Sequence, residues 1–330
     1  MGDFVGIAAS VYVLCGLIVA PVVLAGAVVI WPWSVEPKAA SGLDFSGTLA
    51  ADHVPLPTEK VTMRDGSQIA VRHAKGPAGA PLVVMVHGSG WHGQQFEGLA
   101  AGLADLADVL APDLRGHGVA PARRGDVDYI GQFEDDLADL ITARAGPQQK
   151  VVLLGHSSGG GLVVRFAGGV HRGLIDGAVL LAPFLHHSAP TTKTNSGGWA
   201  TVSLRRVIGL SVLNALRITA LNGLPVIRFA MPEAVLNGPL GQTATTEYSY
   251  RLNTSFAPRA NWQADVARLP PFLLVAGRQD EAFHAERYEP TLSPLNPAGR
   301  YALLPDVGHL DVVNADATLS ALREFLTGLR

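Results

Sequence analysis

A serine flanked by glycines is the first feature of this sequence that could do chemistry. The stretch GHSSG (residues 155–159) has the pattern G-x-S-x-G and follows an apolar, strand-like run. A tight turn from a strand into a helix holds its central residue in strained dihedral angles and lifts that side chain above the sheet. Gly155 and Gly159 suit such a turn because a Cβ atom there would collide with the neighbouring backbone. The pattern predicts that Ser157 is a nucleophile; the alternative is an ordinary Gly/Ser turn.

A serine hydroxyl is a weak nucleophile, so it needs a base that is oriented by an acid. The stretch VAGRQDEAF places Asp280 after one late strand-like run, and LLPDVGHLD places His309 after the last one. The order Ser157, Asp280, His309 is the order in which such a turn is followed by its partners. We therefore predict Asp280 as the orienting acid and His309 as the base. Three nearby acids are rivals for the first role: Glu281, Asp306 and Asp311.

Two backbone N–H groups are predicted to stabilise the negative charge that develops when a serine attacks a carbonyl. One belongs to Ser158, at the start of the helix that follows the turn, where N–H groups are free. The other belongs to Ser89 in the stretch HGSGW (residues 87–91). The alternative for these glycines is a tight turn without chemistry.

Side chains near these stretches could contact a substrate. Trp91 and His92 follow the predicted Ser89 donor, and His186 follows another strand-like run near the expected pocket mouth. His186 and its neighbour His187 resemble metal ligands, but no third ligand has a suitable spacing. We therefore expect Trp91, His92 and His186 to line the substrate site and no metal to bind.

The elements that must position these residues alternate along the chain. Residues 60–74 predict a hairpin with its turn at Asp65-Gly66. Apolar strands are predicted at Pro81–Gly88, Asp108–Gly116, Lys150–Gly155, Asp176–Pro183, Pro271–Gly277 and Arg300–Pro305. Helices are predicted at Gln94–Ala107, Ile130–Arg144, from the serine turn to about Ala167, and at Asn314–Leu329. Such alternation predicts an α/β fold with a mostly parallel sheet covered on both faces, whose sites form at the carboxyl ends of the strands.

One predicted helix carries several acids that we expect to face solvent. They lie within Ile130–Arg144 and are Glu134, Asp135, Asp136 and Asp139. A charged side chain is rarely buried unless it is paired.

Composition excludes several classes of protein. The chain has 330 residues, a formal net charge of -3 and 16% charged residues, so we expect no nucleic-acid partner. Its hydrophobic fraction of 48% is not that of a disordered chain. The single cysteine, Cys15, excludes an intramolecular disulfide.

The N-terminus predicts a single-pass membrane anchor. The segment Val5–Ile30 is apolar and uncharged, and it is long enough to cross a bilayer as a helix. Trp31 and Trp33 follow where an interfacial aromatic anchor would lie. A cleaved signal peptide and a buried helix of the core are the alternatives. A signal peptide would have a basic start and a shorter apolar core, whereas Asp3 is the only charge ahead of this segment.

The chain divides into four parts by composition. Residues 1–35 are the predicted transmembrane anchor, and residues 36–58 are a linker rich in proline and glycine. Residues 59–183 and 265–330 form the predicted core. In residues 184–264 the alternation stops and the sequence favours helices, which predicts a helical cap inserted above the sheet.

Four motifs occur in an order that resembles one family. They are HGSG, DLRGHG, GHSSGG and GRQD followed by GH, and the similarity runs from Val61 to Arg330. The chain resembles the α/β-hydrolase superfamily, and within it the capped lysophospholipase and monoacylglycerol-lipase-like, serine-aminopeptidase-like group. The resemblance implies an α/β-hydrolase fold, a Ser-His-Asp triad, an acyl-enzyme intermediate, and no metal or organic cofactor. It also implies that Arg115 and His117 are structural. The long N-terminal anchor departs from the soluble members.

From these observations we expect a membrane-anchored serine hydrolase that cleaves a small-molecule or lipid ester with a lipophilic acyl group. An aminopeptidase is one alternative, but it would need acids to hold a substrate amine, and the cap offers only Glu233 and Glu247. A non-catalytic receptor or scaffold with the same fold is another. Such proteins usually lose a triad residue, whereas this chain keeps all three candidates.

Overall fold

A computed structural model of the protein describes residues 26–27, 29–33, 42–50 and 55–329. Most of the predicted membrane anchor, Val5–Ile30, therefore lies outside the described residues. Within the described part of the chain, no helix has both the length and the apolar character needed to cross a membrane.

The central layer is an eight-stranded sheet with the strand order β1-β2-β4-β3-β5-β6-β10-β11. The β1–β2 and β2–β4 pairs are antiparallel, and the other neighbouring pairs are parallel. The strands are β1 (Thr58–Thr62), β2 (Gln68–Ala74), β3 (Leu82–Val86), β4 (Asp108–Pro112), β5 (Val151–His156), β6 (Gly177–Leu181), β10 (Phe272–Gly277) and β11 (Gly299–Leu304). The predicted α/β fold with a mostly parallel sheet is confirmed, as is the predicted hairpin.

Helices cover both faces of this sheet. The helices are α1 (Ser46–Ala50), α2 (Glu97–Leu103), α3 (Gln132–Arg144), α4 (Ser158–Gly168), α5 (Leu204–Ala215), α6 (Glu233–Leu236), α7 (Tyr250–Phe256), α8 (Trp262–Val266), α9 (Tyr288–Leu292) and α10 (Asp316–Gly328). Helices α2 and α10 pack against each other and form one group. Helices α3 and α4 form a second group, which also packs against α7 and α8.

The central strands form where the sequence is continuously apolar. Every residue of Leu82–Val86, Val151–His156 and Gly177–Leu181 is buried. Val and Leu dominate these runs, and β-branched and aliphatic side chains pack well on a pleated surface that is covered on both sides. Their carboxyl ends therefore lie together at one edge of the sheet, which is where the chemically interesting loops begin.

The prediction that the acids of α3 face solvent is wrong for two of them. Glu134 and Asp136 are buried. Glu134 accepts hydrogen bonds of 2.6 Å from Arg165 and from Arg259, and Asp136 accepts bonds of 2.9 and 2.8 Å from Arg115. Pairing with arginine is what makes burial of these carboxylates tolerable. Arg115 of the DLRGHG motif thus fastens its loop to α3.

The inserted segment 184–264 differs from the helical cap predicted from sequence. It contains the helix α5, but also a three-stranded antiparallel sheet of β7 (Ala200–Val202), β8 (Pro225–Phe229) and β9 (Glu247–Ser249). Strands of three to five residues are too short to show an alternating pattern, so the sequence did not reveal them.

Part of the predicted linker packs against the core. Residues 42–50 include the short helix α1 (Ser46–Ala50), and the side chains of Leu43 and Phe45 are buried. This described part of the linker is fixed by apolar contacts rather than free in solvent.

Two buried histidines and one tyrosine connect the loops that follow β3 and β4 to the cap. The N–H of Gly90 donates to Tyr248 Oη at 2.6 Å, and this hydroxyl donates to His117 Nε2 at 2.7 Å. The opposite ring nitrogen, His117 Nδ1, donates to the carbonyl of Arg115 at 3.0 Å. His87 likewise accepts from the N–H of Leu114 at 3.1 Å. Burial lowers the pKa of His87 to about 3 and places that of His117 well below its usual value.

These neutral histidines predict that the protein loses stability in mild acid. The unfolded chain protonates histidine near pH 6.5, whereas the folded protein holds His87 neutral down to about pH 3 and keeps His117 neutral well below its usual pKa. The unfolded state therefore binds more protons below about pH 6.5. The free energy of unfolding should fall as pH drops below about 6.5, by up to about 1.4 kcal/mol per pH unit for each ring. Denaturant unfolding between pH 7 and 4.5 measures this slope.

The matched variant for this prediction is His117→Gln. It should show a shallower loss of stability with falling pH than the wild-type protein, whatever its stability at pH 7. His187→Gln, at an exposed histidine, is the control and should keep the wild-type slope. An unchanged slope in His117→Gln would contradict the assignment.

Candidate active site

Ser157 lies at a sharp turn between β5 and α4. Its dihedral angles are φ 55° and ψ −120°, a conformation that non-glycine residues rarely adopt and that marks stored strain. The turn is possible because the two glycines that flank it lie against backbone atoms, where a side chain would not fit. A Cβ at Gly155 would lie 2.3 Å from the carbonyl oxygen of Gly159, and one at Gly159 would lie 2.2 Å from that of Val86. The predicted collisions are thus present at both glycines.

The structure brings the predicted base to the predicted nucleophile. His309, in the loop after β11, has its Nε2 atom 3.0 Å from Ser157 Oγ. Its Nδ1 atom lies 2.8 Å from Asp280 Oδ2. Because an ionised carboxylate can only accept, Nδ1 carries the proton and Nε2 is left free to accept one from the serine. The Ser–His–Asp arrangement has the geometry that activates a hydroxyl nucleophile.

Asp280 lies in the loop after β10 and is 1% exposed. Its Oδ1 atom accepts hydrogen bonds of 2.8 Å from the N–H groups of Ala282 and Phe283. Burial alone would raise the pKa of this carboxyl, but the pairing with His309 and these hydrogen bonds outweigh it and hold the pKa below its usual value. The carboxylate therefore stays charged and can orient the imidazole.

The rival acids have other partners. Glu281 Oε2 accepts the backbone N–H of His309 at 2.8 Å, so it holds the loop rather than the ring. Asp306 accepts from the side-chain amide of Gln279 at 3.0 Å. Asp311 lies beside Gly47 and Gly308. Of the four acids considered from sequence, Asp280 is the one on the imidazole.

The two predicted N–H donors lie on facing segments beside the serine. Ser158 begins α4, and Ser89 follows Gly88, whose added Cβ would lie 3.2 Å from the Cβ of Ser157. Among the described residues, neither N–H donates a hydrogen bond to another protein group. The two side chains are also joined, because Ser89 Oγ lies 2.6 Å from Ser158 Oγ.

His156 holds the loop that carries His309. Its Nε2 atom donates to the backbone carbonyl of His309 at 3.0 Å, and the two rings lie 4.8 Å apart. Burial lowers the pKa of His156 to about 3, so this ring stays neutral. A structural role for His156 fits this geometry.

A small cavity of about 20 Å³ lies above Ser157, which is room for about one water molecule. Its lining is mostly apolar or neutral: Leu43, Phe45, Thr48, Gly88, Ser89, Trp91, Gln95, His156, Ser157, Trp199, His309, Leu310, Val313 and Asn314. Of the predicted substrate-binding residues, Trp91 lies in this lining.

His92 and His186 are not brought to the cavity. His92 Nε2 is 2.8 Å from the hydroxyl of Thr243, and its ring stacks on Trp91 with the centroids 5.2 Å apart. His186 Nδ1 is 2.8 Å from the hydroxyl of Ser188. His92 therefore lies behind Trp91, whose ring is the one in the cavity lining.

Sequence reasoning missed several cavity residues. Leu43, Phe45 and Thr48 come from the segment predicted as linker, and Trp199 comes from the inserted segment 184–264. Phe45 lies 5.4 Å from Trp91 and 5.7 Å from Trp199 between ring centroids. The available signal was the presence of large apolar residues, Leu43 and Phe45 among them, in a segment rich in proline and glycine.

The described part of the chain offers no obvious set of metal ligands. No group of three or more histidine, cysteine, aspartate or glutamate side chains is placed there to hold an ion. The arrangement can instead transfer a proton from Ser157 to His309 while two N–H groups face a developing oxyanion.

Comparison with known proteins matches this chain to one family and to several curated relatives. The family described as serine aminopeptidase, S33, matches residues 78–309. Among curated proteins, the chain is 34% identical over 137 residues to a proline iminopeptidase of Pestalotiopsis fici, which is 39% of this chain and 46% of the relative. It is also 34% identical over 106 residues to a monoacylglycerol lipase of Mycolicibacterium smegmatis, which is 31% of this chain and 37% of the relative. The chain thus matches less than half the length of these relatives.

Two solved structures share the fold. A monoglyceride lipase from Saccharomyces cerevisiae aligns with a TM-score of 0.62 at 15% identity, over 91% of this chain and 98% of the other. A membrane phospholipase A aligns with a TM-score of 0.61 at 19% identity, over 100% of this chain and 99% of the other. Because the family match spans well over half of the chain and the structures agree in fold, the protein belongs to the serine aminopeptidase S33 family of α/β-hydrolases.

Proposed function

We propose that this protein is a serine hydrolase that cleaves carboxylic esters with lipophilic acyl groups. The observation that carries the proposal is the hydrogen-bonded chain from Ser157 through His309 to the buried carboxylate of Asp280. That chain opens into a cavity lined by Trp91 and Trp199. The geometry activates a serine, and the lining suits an apolar acyl group.

The proposed reaction proceeds in two acyl transfers. His309 Nε2 takes the proton of Ser157 as Oγ attacks the ester carbonyl, and it then returns a proton to the departing alcohol. An acyl-enzyme is left on Ser157. Water, deprotonated by the same nitrogen, attacks the acyl carbonyl, and Ser157 leaves with the proton from His309. The backbone N–H groups of Ser89 and Ser158 stabilise the oxyanion in both steps, each contributing about 10²–10³-fold in rate.

An ester is favoured over a peptide with a free N-terminus by the charge of the cavity. Within the described residues, no aspartate or glutamate lines it, so nothing there would pair with a substrate ammonium. Glu233 is exposed, and Glu247 pairs with Arg228 at 3.2 Å. The monoacylglycerol lipase among the curated relatives and the lipase among the solved structures point the same way.

We also propose that the chain works at a membrane, with Val5–Ile30 as its anchor. One side of α5 carries an exposed apolar row spaced four residues apart, Leu204, Ile208 and Val212, and exposed Leu216 continues it directly after the helix. Its opposite side packs on Val29, at the end of the apolar segment, through Leu210 and Leu213. Arg206 donates to the carbonyl of Val29 at 3.1 Å. An apolar helix face flanked by arginines beside the end of an anchor is suited to a lipid surface.

The first prediction of this proposal concerns the nucleophile. Ser157→Ala should lower the hydrolysis of p-nitrophenyl esters by at least about 10³-fold, because no other group replaces the attacking oxygen. The measurement uses the detergent-solubilised full chain across a series of acyl lengths. A fluorophosphonate should add covalently to the wild-type protein and not to this variant, as read by mass spectrometry.

The control is Ser320→Ala, at an exposed serine of α10, which should keep wild-type rates and labelling. Equal activity in Ser157→Ala would remove the serine-hydrolase assignment. Wild-type turnover of proline amides but of no ester would favour the aminopeptidase alternative. Folded wild-type protein without either activity would favour a non-catalytic receptor.

The second prediction concerns the membrane. The double variant Leu204→Ser, Ile208→Ser should cleave an ester embedded in phosphatidylcholine vesicles about tenfold more slowly, because it removes apolar area from the face that meets lipid. Hydrolysis of soluble p-nitrophenyl butyrate should change less than about twofold, since neither residue lines the cavity.

The matched control is Val170→Ser, another exposed apolar residue, which lies in the loop after α4. It should affect neither substrate. Equal losses on the embedded and the soluble ester in the double variant would mean that α5 supports the fold rather than a lipid contact.

A further inference from the structure

The catalytic cavity is too small for the substrate class that its lining suits. The cavity above Ser157 has a volume of about 20 Å³, which is room for about one water molecule. The wall that closes it comes from residues 42–50, here named the strap. Leu43, Phe45 and Thr48 of the strap face the cavity. The strap precedes the matched family region, residues 78–309.

Phe45 is the centre of the strap. It is buried between Trp91, from the loop after β3, and Trp199, from the cap, with ring centroids 5.4 and 5.7 Å away. Phe229 extends the same aromatic group by stacking on Trp199 at 5.3 Å. A phenyl group between two indoles occupies an apolar slot that leads directly to the nucleophile.

The buried contacts of Leu43 and Phe45 that hold the strap to the core are apolar. Its one side-chain hydrogen bond is local, from the N–H of Ser46 to Asp44. Within the ranges that the structure describes, no hydrogen bond or ion pair joins the strap to the core. An acyl chain could therefore replace the strap by exchanging one apolar contact for another, without leaving a buried polar group unpaired.

We propose that Phe45 is a specificity-determining residue: its side chain fills the acyl-chain site, and a substrate chain must displace it. The inference rests on the proposed ester hydrolysis. A short acyl group reacts without moving Phe45, whereas each further carbon of a longer chain competes with the phenyl group for the faces of Trp91 and Trp199. Phe45 thereby sets the dependence of KM on acyl length.

The test compares Phe45→Ala with the wild-type full chain on p-nitrophenyl esters from acetate to palmitate. For octanoate and longer esters, kcat/KM should rise at least about tenfold through a lower KM, because the slot is open before binding. Turnover of acetate should stay within about twofold. Phe45→Trp should shift the preference towards shorter chains. Met63→Ala is the control; Met63 is also buried in the core but lies outside the cavity lining, so the length profile should not change.

A binding measurement keeps the inference testable without turnover. Dodecanoate should bind the Ser157→Ala, Phe45→Ala protein at least about tenfold more tightly than Ser157→Ala alone, by calorimetric titration. If no ester is cleaved but this difference appears, the proposed function fails and the acyl site remains. If esters are cleaved while Phe45→Ala leaves both the length profile and dodecanoate binding unchanged, or lowers all lengths equally, Phe45 is only a packing residue and the inference is overturned.

Discussion

The contact between two backbones at Gly159 sets the geometry on which the rest of the site depends. A Cβ there would lie 2.2 Å from the carbonyl oxygen of Val86 and 2.5 Å from that of His87, so the start of α4 rests directly on the end of β3. This contact brings Ser158 and Ser89 to facing positions and places Gly88 against Ser157. It also fixes the end of the turn that follows Ser157, so the backbone of Ser157 cannot relax from its strained dihedral angles. The strained backbone of Ser157 and the facing positions of Ser89 and Ser158 thus both depend on the missing Cβ.

Neutral histidines hold the surrounding loops to that contact. A neutral imidazole offers one donor and one acceptor, so His117 can accept from Tyr248 and donate to a backbone carbonyl at the same time. A protonated ring would have two donors and would lose the first bond. Burial keeps His87, His117 and His156 neutral. His309 differs from these three because its acceptor nitrogen faces a serine hydroxyl instead of a structural donor.

Sequence predicts those parts of the structure that local pattern determines. The apolar strands, the hairpin turn and the order of Ser157, Asp280 and His309 all follow from short stretches with a physical reason for their composition. Features that depend on residues far apart in the sequence were not predicted. The burial of Glu134 depends on Arg165 and Arg259 from other elements. The placement of Phe45 depends on two tryptophans far along the chain, and no periodicity within a linker encodes such a contact.

The apolar contacts of the N-terminal region connect the catalytic cavity to the proposed lipid-facing helix. Val29 packs on one side of α5, and Phe45 packs on Trp199, which immediately precedes β7 in the same cap. The first contact holds Val29 against the cap, and the second closes the space above Ser157. The Phe45 contact is apolar and weakens in an apolar medium, where lipid chains satisfy the same surfaces. The Val29 contact also includes a hydrogen bond from Arg206. A lipid surface would therefore compete for the apolar side chain of Phe45, which closes the cavity above Ser157. A lipid ester would then reach the cavity from the same lipid surface that opens it.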